Sequence, residues 1–185
     1  SDLSSYIAKY TPSGAIFWAT SIGSLAISSV ALATDGSLYV GGDLSGTTDV
    51  DPGPGSTSLT STGGSDTVVL KFDDAGRLLW ARCMGGPMTD SMTSLAATPD
   101  GGVVAAGSFS GTADFDPGPG TFPLTATAGA FVTKLDSSGT LAWASAFGDQ
   151  SVMASGIAVG ADDAIFVTGT FAGTIDFDPS AAAFS

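Results

Sequence analysis

The chain has 185 residues, 43% apolar and only 12% charged, with five Lys and Arg against 18 acids, a net charge of −13 and no histidine. So apolar a composition argues against disorder, and the length is enough for a core in one large domain or two small ones. The acidic field disfavours nucleic acid and anionic membrane, no apolar run approaches the roughly 18 residues of a membrane span, and the 26 glycines lack the three-residue period of collagen.

Every acid is Asp, which favours turns and caps, whereas helices recruit Glu. Few helices are expected. Cys83 is the sole cysteine, so there is no disulfide framework and no Cys/His metal site. No signal peptide is evident, and a start at SDLSSY without Met suggests a processed or excised portion.

In chain order, the first elements are strands over 6–10 and 16–21, separated by a turn ending at Gly14. SSVALATDGSLYVGGDLSG then predicts a hairpin about Asp35-Gly36, followed by TTDVDPGPGS at 47–56. VVLKFDDAGRLLWARCMG predicts a second hairpin about Gly76, and SLAATPDGGVVAAGSFSG a third about Asp100-Gly101. TADFDPGPGT occupies 112–121, FVTKLDSSGTLAWASAFG turns at Gly139, and GIAVGADDAIFVTGTFAG carries the weaker Asp162-Asp163 turn before TIDFDPS at 174–180.

The recurrence is regular. Lys9, Lys71 and Lys134 are 62 and 63 residues apart, and Trp18, Trp80 and Trp143 repeat the same spacings. A unit of four short strands, with about twenty residues carrying the DxDPG motif between its second and third strands, reads as a β-propeller blade, a solenoid or stacked sandwich being the runner-up. The expected fold is therefore all-β: one repeat domain over 1–185, with about three blade equivalents. Residues 1–24 supply two strands of a shared blade, 25–87 and 88–150 are whole blades, and 151–185 supply the complementary two strands. Three blades cannot close a ring, so a second copy or other chain segments are expected to complete it.

The stretch SGTADFDPGPGTFPLTATAGAFVTKLDSSGTLAWASAFG at 110–148 resembles the β-propeller repeats of bacterial secreted and cell-surface proteins, the seven-bladed β-propeller repeat type. The resemblance covers nearly the whole chain and rests on GTxDFDPGPG, the LD-SG-L-W segment and DG-x-x-YV-G. It implies an extracellular or bacterial cell-surface location beside other surface modules, without assigned activity. Three units depart from that family's blade number.

Catalytic sets are absent from the sequence. Without His there is no Ser-His-Asp arrangement, Cys83 has no imidazole partner, and no phosphate-binding loop is present. The pairs Asp49/Asp51, Asp114/Asp116 and Asp176/Asp178 place two carboxylates at i and i+2. Three equivalent pairs do not provide the unlike environments that paired-acid catalysis needs. They support two compatible readings: a metal site for calcium, with carbonyls from the Pro-Gly turn, or a type II turn braced by Asp. No cofactor is required, calcium being the candidate ion. The recurrent Trp and Lys read as packing anchors and snorkelling cations. The non-recurrent segment from Arg82 to Met92, with Met84 and Met88, is the better place for a specific ligand.

The expected function is a non-enzymatic extracellular structural or adhesive β-propeller module, stabilised by calcium, within a larger surface assembly. Its partner would be a protein or second copy completing the propeller, without nucleic acid or membrane insertion. The alternatives are a carbohydrate- or peptide-binding module, or the non-catalytic part of an enzyme whose active site lies elsewhere.

Overall fold

The computed structural model describes residues 4–148 and 151–178. Tight turns set the strand pairs. β1 (Tyr6–Tyr10) and β2 (Ile16–Ser21) pair across a turn where Gly14 takes φ +83° and Thr11 Oγ1 accepts the Ala15 N–H at 3.1 Å. β3 (Ala26–Leu32) and β4 (Leu38–Leu44) turn at Gly36, φ +84°, with Asp35 Oδ1 accepting the Ser37 N–H at 2.9 Å. Glycine reaches this left-handed conformation without a Cβ clash, and the Asp oxygen satisfies an N–H the turn leaves free.

β5 (Thr47–Asp49) and β6 (Ser58–Thr60) form a short ribbon, and β7 (Asp66–Phe72) and β8 (Leu78–Met84) the next hairpin. β9 (Ser91–Ala97) pairs with β10 (Val103–Asp114), β10 with β11 (Pro123–Leu135), and β11 with β12 (Leu141–Phe147). β13 (Val152–Val159) and β14 (Ile165–Phe171) close the described chain, and Asp163 at φ +64° takes the turn role that glycine fills elsewhere.

The fourteen strands make five discrete antiparallel sheets: β1–β2, β3–β4–β7–β8, β5–β6, β9–β10–β11–β12 and β13–β14. Side chains and isolated backbone bridges, such as that between Gly85 and Asp114, join them rather than shared ladders. Ile7, Ile22 and Leu25 pack against Val40 and Leu70 between the first hairpin and the first four-stranded sheet. Tyr39 and Val69 pack against Met92, Leu95 and Val103 between the two four-stranded sheets. Ala106 and Val132 meet Val152, Ala154 and Ile175 at the last hairpin. Polar links cross the same seams: Asp43 accepts from the Ser91 hydroxyl and the Met92 N–H, both at 2.7 Å, and the Thr93 hydroxyl donates to Ala154 O at 2.8 Å.

This arrangement overturns the propeller. Among the described residues the sheets are discrete and unclosed, and the order does not come round into a ring. Two sheets have four strands and the rest are two-stranded, so the recurring sequence does not produce a repeated blade. The physical reason lies in the DxDPG segments. Around TTDVDPGPGS the chain breaks after β4 and forms the separate β5–β6 ribbon, whereas near TADFDPGPGT β10 and β11, 12 and 13 residues long, continue past a register shift at Phe109/Gly111. With no ring, the resemblance to the seven-bladed repeat type fails at the level of architecture. The structural or adhesive propeller module and its surface assembly, together with the alternatives attached to that module, lose the scaffold they required. The protein partner or second copy expected to complete the ring is likewise not supported, because no partly closed ring is present to complete. No helix is long and apolar enough to cross a membrane among the described residues.

Candidate functional site

Two of the Asp pairs sit at ribbon tips as braces, and the third lies in the irregular chain after β14. Asp49 Oδ1 accepts the Asp51 N–H at 3.1 Å and the Thr57 N–H at 2.8 Å, closing the loop between β5 and β6. Asp114 Oδ1 does the same for Asp116, at 3.0 Å, and Phe122, at 2.7 Å. Asp51 and Asp116 each accept one further N–H, from Gly53 and Gly118, both at 2.8 Å. Asp176 Oδ1 accepts the Asp178 N–H at 3.0 Å. The Thr57 N–H, then the Asp51 N–H, hold the Asp49 carboxyl below its ordinary value, since both donors favour the charged form. No group of three or more His, Cys, Asp or Glu side chains suited to a metal forms among the described residues. Pro179 and Ser180, the end of the third motif copy, lie outside them.

The recurrent cations and rings join neighbouring turns. Trp18 Nε1 donates to Asp74 O at 3.1 Å and Trp80 Nε1 to Ser137 O at 3.0 Å, each reaching from its own sheet to a hairpin turn of the adjacent one. Lys71, only 4% exposed, lies over the Tyr39 ring, 3.8 Å from Asp35 Oδ2, and Lys134 donates to Asp100 Oδ2 at 2.6 Å. Lys9 pairs with Asp74. Arg82 is spent on the carbonyls of Gly139, Ser138 and Ala81. Exposed Arg77 pairs with Asp73. In the Arg82–Met92 segment, Met84 and Met92 are core residues and Met88 is exposed. Burial, then the Asp66 charge, pushes the Cys83 thiol up to about 12, which leaves it unreactive.

Trp143 breaks the pattern. It lines an open groove of about 570 Å³ between β12 and the β13–β14 hairpin, with Phe147, Met153, Val167, Phe171 and Phe177. Phe177 packs against Phe171 edge-on at 5.6 Å and against Phe147 at 6.2 Å, which fixes one wall. Among the described residues that line the groove, the side-chain polar groups are the hydroxyls of Ser145, Thr168 and Thr170 together with the Trp143 N–H, and none of these residues is charged. A concavity of this size with apolar walls and a few hydroxyls suits a small ligand. Sequence reasoning missed it because its walls run from Val132 to Phe177, and only the sheet packing brings them together.

No protein-family profile matches the sequence. The chain is 33% identical over 181 residues to the regulatory protein FlaEY of Caulobacter vibrioides, covering 91% of the chain and 18% of that protein. It is 28% identical over 120 residues to an uncharacterized WD repeat-containing protein of Acanthamoeba polyphaga mimivirus, covering 62% of the chain and 9% of that protein. The chain thus spans less than a fifth of the length of either relative.

Proposed function

We propose that the chain is a non-catalytic, ligand-binding part of a longer regulatory protein, holding an uncharged apolar molecule in the groove beside Trp143. The carrying observation is the groove: about 570 Å³, walled by aromatic and aliphatic side chains, with no charged side chain among its described lining residues. Burying a charged ligand there would cost solvation that no side chain repays, and an anion would also meet the field of a chain at −13. A neutral ligand with one or two polar atoms meets the hydroxyls of Thr168 and Thr170 instead. The regulatory role is carried over from the name of the bacterial relative, and absent catalytic sets favour binding over turnover.

Nile red, a neutral apolar dye, tests the site. Its emission should shift to the blue on binding and quench Trp143, and Val167→Asp should abolish both effects while leaving the sheet signal in circular dichroism intact. Leu79→Asp, at an exposed apolar position on β8, should leave binding unchanged. Dye binding that survives Val167→Asp, or that Leu79→Asp removes as well, overturns the proposal.

A further inference from the structure

Two acids off the recurring pattern are the most poorly satisfied groups in the described molecule. Asp66 opens β7 and Asp90 ends the turn that follows β8, and each is 1% exposed. Counting back five residues from the recurrent lysines gives Ser4, Asp66 and Gly129, so the acid belongs to the middle copy alone. Asp66 Oδ2 accepts the N–H and the hydroxyl of Thr62, both at 2.8 Å, and Asp90 Oδ2 accepts the Gly86 N–H at 2.7 Å. Oδ1 of each is buried and makes no close hydrogen bond, although the Ser110 N–H is a further backbone donor toward the Asp90 carboxylate. Buried acceptors are ordinarily satisfied, and a bare carboxylate oxygen away from water is costly.

The chain itself offers nothing to neutralise them. Its five basic side chains are engaged elsewhere: Lys9 with Asp74, Lys71 with Asp35, Lys134 with Asp100, Arg77 with Asp73, and Arg82 with three carbonyls. The two acids belong to one knot of loops. The Asp90 N–H donates to Ser65 O at 2.8 Å, immediately before Asp66, and the Gly64 N–H donates to Met88 O at 3.1 Å. Asp66 Oδ1 faces Gly85, at the start of the turn that Asp90 closes: a Cβ there would stand 2.7 Å from that oxygen. Main-chain oxygens crowd the same place, with Gly86 O accepting the Thr62 hydroxyl at 3.2 Å and Thr112 O pressed against the Gly86 backbone.

We infer that Asp66 and Asp90 form a cation site taking calcium, with main-chain carbonyls of the 85–90 turn and water as the remaining ligands. The donors proposed are all hard oxygens, which suit calcium. An ion here would tie the 61–65 loop to the 85–90 turn, and so the first four-stranded sheet to the start of the second.

Thermal melts with calcium chloride or EDTA test this, with calorimetric titration of the same ion. The unaltered chain should melt higher by about 5 °C at about a hundredfold excess of calcium over Kd. Asp66→Asn and Asp90→Asn keep the shape and the Oδ2 bonds, so both should fold, melt no lower than the parent in EDTA, and lose the calcium shift. Asp114→Asn should keep the shift. Loss of the shift in Asp114→Asn but not in Asp66→Asn would place the ion at a ribbon tip and overturn the inference. So would a parent chain whose melting does not respond to calcium but rises in EDTA as pH falls, which would mean the pair holds a proton.

Discussion

At the scale of single residues, aspartate performs one task many times. Asp35, Asp73, Asp100 and Asp136 each turn a carboxylate oxygen onto N–H groups of their own hairpin turns. This explains an acidic chain without glutamate, whose longer side chain reaches past such close donors. Asp100 is the most perturbed of the four: the Lys134 ammonium, then the Thr98 hydroxyl, lower its carboxyl to about 2. Its folded value lies below its unfolded one, so the stabilisation is full above the unfolded value near 3.8 and is lost as pH falls through about 2. The Asp100 side chain is 54% exposed, so solvent screening keeps the worth of the pair under about 1 kcal/mol. Lys134→Met should return the Asp100 carboxyl toward ordinary aspartate values in an NMR titration; a carboxyl that stayed near its present value would refute Lys134 as the main cause. Asp43 and Asp90 have the opposite sign, because burial raises both, and their contribution is lost as pH rises. The turn aspartates were legible in the sequence because Asp-Gly is a local signal. Asp66 and Asp90 were not, since their burial depends on two loops meeting, and an acid at a strand start looks like any other.

At the scale of elements, two nearly identical phrases fold differently. Thr47 and Thr60 share a hydroxyl bond at 2.9 Å across the β5–β6 ribbon, and Thr112 and Thr125 share one at 2.8 Å across β10–β11. The local ribbon is thus common to both. What differs is its attachment: in the second ribbon Phe115 packs on Phe109 at 5.5 Å and Phe131 at 4.8 Å, binding the tip to the body of the strands. Val50 occupies the position of Phe115 in the first phrase, and there the ladder is interrupted. Hairpins and turns could be read from the sequence, but the ribbons could not, because DxDPG announces a bend and hides the short strands beside it. Gly107 tests how tightly these elements are set. It lies at the register shift between β9 and β10, where an added Cβ would stand 2.0 Å from Ser91 O. Gly107→Ala should therefore cost about 2 kcal/mol or more, read as a lower urea midpoint with unchanged slope. A midpoint within error of the parent would mean that the strand can shift freely.

At the scale of the whole molecule, the recurrence of Lys and Trp every 62 or 63 residues suggested a ring, but it reports a local arrangement. Trp18 and Trp80 each reach a hairpin turn of the adjacent sheet, a contact between neighbouring sheets that carries no information about closure. Hydrogen-bonded pairing is decided within a few tens of residues, whereas the joining of sheets is decided by which faces are apolar and how far each strand continues. The groove belongs to this scale too: Trp143, in the same recurrent place as Trp18 and Trp80, lines open space.

The three seams have a kinetic consequence. Each core cluster joins adjacent sheets only, so a sheet can detach without opening the seams beyond its neighbour. Amide exchange with deuterium should then be graded: fastest in β1–β2 and β13–β14, slowest in β7 and β10, whose residues are buried on both faces along most or much of their length. Uniform protection across all five sheets would show one cooperative unit instead. If the gradient holds, occupation of the groove should slow exchange in β13 and β14 first, so that the binding surface is also the layer most easily lost.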